Sequence, residues 1–269
     1  MNKKSNDLKK VNYIIENKEK LLHRRKKRKQ ARFLILLVVI MVSTLITLCI
    51  KLPYFNITKI EILGNSNASK TQINDSVNDK LGSNIISASF NGSKNQIMKN
   101  PYVLGVTFKK VLPKKIVITI EEKVAVFYGK VNNFYYILDN QGYILEKRSN
   151  IKDMNLVKLT GFNYEKYEVG DLIGLKDDRK ITILKELTSI IDEYRKANNN
   201  SNITMVDVSD VLDVKVFSGE MCIKFGTTLN LKSKFNKAIN IITQLKYESK
   251  KGYVDVSSSG NPVVFIDEK

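Results

Sequence analysis

Residues 33–50 carry no charge for eighteen positions, and thirteen of them are Leu, Ile, Val or Phe. That is close to the shortest stretch that crosses a bilayer as a helix. At about −0.3 to −0.6 kcal/mol per such residue, insertion sums to roughly −4 to −8 kcal/mol, partly offset by Ser43, Thr44 and Thr47. A cleaved signal peptide has a shorter apolar stretch and a small-residue cleavage site, whereas Lys51-Leu52-Pro53-Tyr54 follows here. A buried core helix is rarely uncharged all round for this length. The run therefore reads as an uncleaved transmembrane helix. Ser43, Thr44 and Thr47 admit two readings, a passive anchor or a small polar stripe that packs on another membrane helix.

The flanks orient it. Residues 1–32 hold thirteen Lys or Arg against Asp7, Glu16 and Glu19, and the run from His23 to Arg32 abuts the apolar stretch, while only Lys51 lies at its other end. By the positive-inside rule the amino terminus stays in the cytoplasm and the carboxyl terminus lies outside. Such a run also suits nucleic acid or anionic lipid, but its position makes it a topology signal, and no nucleic-acid partner is expected. More than half of the net charge of +18 sits in this tail. The remainder reads mainly as genome composition and mildly favours anionic surroundings such as a cell wall or lipid headgroups.

Chemistry is limited by what is missing. The single histidine, His23, lies in the basic tail, so the outer region has no His-based triad, general base or zinc site. Cys49 and Cys222 offer no disulfide framework. Glu121-Glu122, Asp177-Asp178 and Asp192-Glu193 are neighbours in sequence and read as solvated surface, and Asp207, Asp210 and Asp213 match no recognised calcium loop. No phosphate-binding glycine loop is present. No catalytic residue, cofactor or metal is expected. A structural interaction protein is preferred, and the alternative is a cell-wall-processing enzyme or ligand-sensing envelope protein.

Beyond Pro53 the expected class is α+β in two domains, residues 54–123 and 124–269. The first reads strand (57–63), helix (Ile73, Val77 and Leu81 at spacing four, after a capping box at Ser69-Lys70-Thr71-Gln72), a second helix near 93–99, and strands at 103–111 and 115–122. Its expected core is Ile60, Ile62, Ile73, Val77, Leu81, Ile116, Ile118 and Ile120. The second is β-rich, with a hairpin around Asp139-Asn140-Gln141-Gly142, amphipathic helices at 178–197 and 231–245, a polar loop at 198–202, and strands at 205–208, 211–217, 221–225, 253–256 and 263–266.

The strings Ile57-Thr58-Lys59-Ile60-Glu61-Ile62-Leu63-Gly64-Asn65, Gly82-Ser83-Asn84-Ile85-Ile86, Asn100-Pro101-Tyr102-Val103 and Leu112-Pro113 ahead of Ile116-Val117-Ile118-Thr119-Ile120-Glu121-Glu122 resemble a POTRA domain of the FtsQ/DivIB cell-division family. Gly252-Tyr253-Val254-Asp255-Val256 resembles that family's penultimate strand. Each string is weak alone, and the ordered set is specific. The resemblance implies a membrane-embedded bacterial divisome component at the septum. It would hold FtsB/DivIC-like and FtsL-like single-pass proteins while peptidoglycan synthases, contacted indirectly, work. A sporulation-specific or envelope-assembly relative is the alternative within it. Ser257 stands where many members carry arginine, so that arginine's role is not carried over.

Residues 263–266 are apolar on both faces of an extended segment, so a second face must be covered, and the helix at 231–245 is the expected cover. A carboxyl-terminal edge strand also offers unpaired N–H and C=O groups to an added strand. The resemblance implies that use for an FtsB/DivIC-type partner, and carries it to Ser258, Val263, Val264 and Phe265.

Overall fold

One uninterrupted α-helix, α1 (Lys3–Lys51), opens the chain. The computed structural model describes residues 3–64, 66–68, 70–175, 178–197, 202–258 and 260–267. Among these, α1 holds the one helix long and apolar enough to cross a membrane, Leu22–Lys51. Residues 33–50 are exposed on all sides apart from half-exposed Cys49, which fits a helix solvated by hydrocarbon and not one packed in a protein core. The Thr44 and Thr47 hydroxyls donate to the carbonyls of Ile40 and Ser43, each at 2.8 Å. Both donors are thereby spent inside the helix, which favours the passive reading of the polar stripe. The helix runs on through the basic tail, whose Lys, Arg, Gln and Leu are good helix formers.

The chain resolves into two compact units, residues 1–61, 77–90 and 108–117, and residues 62–76, 91–107 and 118–269. In the first, a 3₁₀ turn (Pro53–Phe55) leaves α1. The Ile85 N–H then donates to the Phe55 carbonyl at 2.8 Å and the Ile57 N–H to Ser83 at 2.9 Å, over a core of Ile57, Val77, Ile85 and Ile116.

Strands β1 (Lys59–Leu63), β2 (Val103–Val111) and β3 (Lys115–Glu122) form a small sheet in the order β1-β3-β2, with helices α2 (Lys70–Asp75) and α3 (Asn91–Ile97) between β1 and β2 in sequence. Ile116, Ile118 and Ile120 are buried as their alternation requires, as are Ile73 and Val77, while Ile60 and Ile62 are half-buried. Leu81 corrects the expected core, being 47% exposed. The helix stops at Asp75 and a 3₁₀ turn (Asn78–Lys80) follows, so the 3.6-residue phase that would align Leu81 with Val77 is lost. The capping residue Ser69 lies outside the described residues.

The large sheet has nine strands: β4 (Ala125–Val131), β5 (Phe134–Asp139), β6 (Ile144–Arg148), β7 (Val157–Thr160), β8 (Ile203–Asp207), β9 (Val214–Ser218), β10 (Met221–Gly226), β11 (Gly252–Asp255) and β12 (Val263–Ile266). Their order is β12-β11-β10-β9-β8-β7-β4-β5-β6. Pairs β10/β11, β7/β8 and β4/β7 are parallel, and the remaining pairs are antiparallel. Helices α4 (Arg179–Ala197) and α5 (Leu231–Gln244) bury Ile181, Leu184, Leu187, Phe235 and Ile239 in one core with Val206, Val216, Ile223 and Val254 of the strands. The hairpin β5/β6 and both amphipathic helices match the sequence pattern. Strands β4 and β7 had no reading of their own, because four residues of β7 are too few to show a period. In β4, Gly129 reads as a strand breaker, yet a Cβ there would lie 2.2 Å from the Tyr164 ring, so the strand needs glycine for that ring to close the core. Asn198 to Ser201 of the expected polar loop lie outside the described residues.

Candidate partner-binding strand

The sheet ends at β12, and its register is Gly252↔Ile266, Tyr253↔Phe265, Val254↔Val264 and Asp255↔Val263. Gly252 makes the pairing this close, since a Cβ on it would meet the Phe265 carbonyl oxygen at 2.1 Å. Beyond its start, the connection turns on Asp255, whose Oδ1 accepts the Ser257 N–H at 2.9 Å. Burial alone would push that carboxyl up, but the Ser257 hydroxyl and N–H, with Lys224 and Lys234 nearby, outweigh it and hold Asp255 below its ordinary value. Past its end, the Asp267 N–H donates to the Lys251 carbonyl at 2.8 Å. The far end of the strand is therefore tied back to the residue before β11.

Its exposure corrects the expectation that α5 covers the second face. Val263 is 58% exposed, Val264 36% and Phe265 52%. Helix α5 reaches β10 and β11, and its apolar stripe is spent on their inward residues, Ile223, Phe225 and Val254. One strand farther out, Ile266 is the residue of β12 that packs against this core, and among the described residues no strand lies along the outer edge of β12. Natural edges are usually blunted by charge, proline or a bulge, and none of these falls within β12.

Three of the expected residues, Val263, Val264 and Phe265, come together on this strand. Ser258 does not, because it is exposed in the β11–β12 connection. Sequence reasoning missed the surface that adjoins Phe265. Register places Phe265, Tyr253, Cys222, Phe217, Met205, Lys158 and Tyr128 in one row across seven strands, on the face turned away from α4 and α5. The Phe265 and Tyr253 rings stack at 5.4 Å, and the Lys224 ammonium lies 3.7 Å from the Tyr253 ring centre. Burial raises the Cys222 thiol, keeping it protonated and apolar in character at neutral pH. Beside this row runs a charged one, Val263, Asp255, Lys224, Lys215, Asp207 and Thr160. The available signal was that Phe217 and Cys222 occupy outward positions where an open sheet face ordinarily carries polar residues.

No group of three or more metal-ligating side chains gathers among the described residues. The chemistry offered is adhesion: backbone donors and acceptors along an edge, aromatic rings beside it and charges of both signs next to them.

A family model described as POTRA domain, FtsQ-type, matches residues 55–123, and one described as Cell division protein FtsQ/DivIB, C-terminal, matches residues 127–257. The protein named cell division protein DivIB of Clostridium botulinum is 40% identical over 232 residues, 85% of this chain and 88% of the relative. The chain belongs to the FtsQ/DivIB cell-division family. A DivIB of Clostridium acetobutylicum is 39% identical over 227 residues, covering 84% of this chain and 89% of its own, and one of Solibacillus silvestris is 26% identical over 221 residues, covering 81% and 72%. The FtsQ/DivIB model over residues 127–257 includes β11 and stops short of β12.

Proposed function

We infer that this protein is a non-enzymatic scaffold of the bacterial division machinery. It holds FtsB/DivIC-like and FtsL-like single-pass proteins at the septum while peptidoglycan synthases work. Family membership supports the division role, and the observation that carries the scaffold reading is the open outer edge of β12. A partner segment pairs there as a tenth strand, with side chains pocketed by the row through Phe265 and Tyr253. Burying what remains exposed of Phe265 and Val263 contributes on the order of 1–3 kcal/mol, and new backbone pairs contribute about 1 kcal/mol each. Ser258, at the mouth of the connection, lines the entry of that segment. The domain boundaries in this reading are 54–123 and 124–269, outside the membrane.

The test is capture of a DivIC-like partner by the full chain. Val264→Pro removes a backbone donor and bends the edge, and deletion after Pro262 removes the strand. Both are expected to abolish capture, and exposed-site Phe265→Ala to weaken it roughly ten-fold. Undiminished capture by a deletion variant with an unchanged circular-dichroism spectrum places the site elsewhere.

A further inference from the structure

Carbonyls in the last turn of a helix have no partner farther along it. In α1 two of these, on Cys49 and Ile50, accept from the Asn84 side-chain amide, each at 2.9 Å. The Asn84 Oδ1 in turn accepts the Ile86 N–H at 2.9 Å. Residues 84–86 are thus held at the level where the apolar stretch ends. Two lysines are tied to the same place. The Lys110 ammonium donates to the carbonyls of Ile86 and Ala88 at 3.0 and 2.9 Å. The Lys114 ammonium lies 5.4 Å from the ring centre of Tyr54, in the turn that leaves α1.

Three apolar side chains at this junction face outward, with Leu52 42%, Tyr54 59% and Ile86 43% exposed. Residues 51–61, 77–90 and 108–117 hold seven lysines against two carboxylates, Glu61 and Asp79. Both carboxylates are already paired, with Lys115 and Lys80. Aromatic and aliphatic groups beside lysines at the end of a membrane span match the water-to-lipid boundary, where rings sit among headgroups and lysine stems reach the phosphates.

We propose that this collar, Leu52, Tyr54 and Ile86 with Lys51, Lys110 and Lys114, docks on anionic phospholipid headgroups of the leaflet from which α1 emerges. The proposal rests on α1 as a membrane span. Each lysine adds about five-fold to the attraction of an anionic surface, so the charges decide which bilayer is preferred. The consequence is a first unit seated on the membrane and not swinging from it.

The chain has no tryptophan, so Ile86→Trp supplies a single tryptophan that is excited selectively over the tyrosines, and Ser87→Trp repeats the measurement with Ile86 in place. The full chain is reconstituted in phosphatidylcholine vesicles with or without roughly a third phosphatidylglycerol. A lipid brominated near the headgroup end of its acyl chains serves as the quencher. The expected result is blue-shifted, quenched emission in the anionic vesicles, with Lys110→Glu and Lys114→Glu together removing roughly half or more of the quenching. Unquenched, water-like emission in both vesicles overturns the collar. Quenching equal in both vesicles and indifferent to the charge reversals overturns headgroup recognition. Flotation separates the remaining case: protein that fails to float with either vesicle overturns the membrane span itself, and the collar with it.

Discussion

Glu122 shows how much one side chain can differ from its sequence reading. Next to Glu121 it reads as a solvated carboxylate, yet its oxygens accept the N–H groups of Ser66, Asn67 and Ala68 at 2.8, 2.9 and 2.7 Å, and the Asn67 amide at 3.3 Å. This remote carboxylate satisfies three consecutive donors ahead of α2. Burial pushes the carboxyl up, but the backbone donors outweigh it and leave it below its ordinary value of 4.5. A depressed folded-state value means that the contribution is full above the unfolded value and is lost as pH falls through the folded one. Glu122→Gln is expected to cost about 1 kcal/mol at neutral pH, since the site is partly solvated. Urea midpoints measured against pH should show the gap between wild type and variant closing below about pH 4.5, and a gap that stays constant would refute the account.

At the scale of elements, β3 and the segment after α2 make opposite predictions from similar residues. Ile118 has no exposed surface in the alternating strand, and Ile118→Ala is expected to cost about 2–5 kcal/mol. Leu81, which a continuous helix would have buried equally, lies 47% exposed after the 3₁₀ turn, and Leu81→Ala is expected to change stability by about 0.5 kcal/mol or less. Thermal midpoints of the two variants decide between the observed break and an unbroken helix. Equal losses would mean that the turn at Asn78–Lys80 is wrong. β12 follows the same logic in reverse: its four apolar residues predict burial, yet only Ile266 packs against the core, and Val263, Val264 and Phe265 stay exposed at the sheet edge.

For the whole molecule the governing asymmetry is charge about the apolar stretch. At 1.5 Å per residue the eighteen uncharged positions reach about 27 Å, close to the hydrocarbon thickness, and the rest of α1 continues as basic helix on the tail side. Thirteen basic residues on one flank against Lys51 on the other predict a cytoplasmic amino terminus. In intact cells, external protease should digest the folded region and spare an amino-terminal tag. Reversal of that pattern, or an active cytoplasmic reporter at the carboxyl terminus, would invert the topology and place the β12 edge on the wrong side for extracytoplasmic partners.

The membrane helix, the alternation of β3 and the stripes of α4 and α5 were legible in the chain because each depends on a local period or a local apolar run. Ordered strings such as Gly82-Ser83-Asn84-Ile85-Ile86 carried the family resemblance in the same local way. Strand order was not legible, because a period of two says which residues share a face and nothing about which distant strand will lie alongside. Only the tertiary structure decided that β7 sits between β4 and β8, and that Phe265, Tyr253, Cys222 and Phe217 form one row. Asn84 completing the end of α1 and Glu122 holding residues 66–68 belong to the same class. A hydrogen bond across 35 or 54 positions leaves no periodic trace, and it exists only once packing has brought its two ends together.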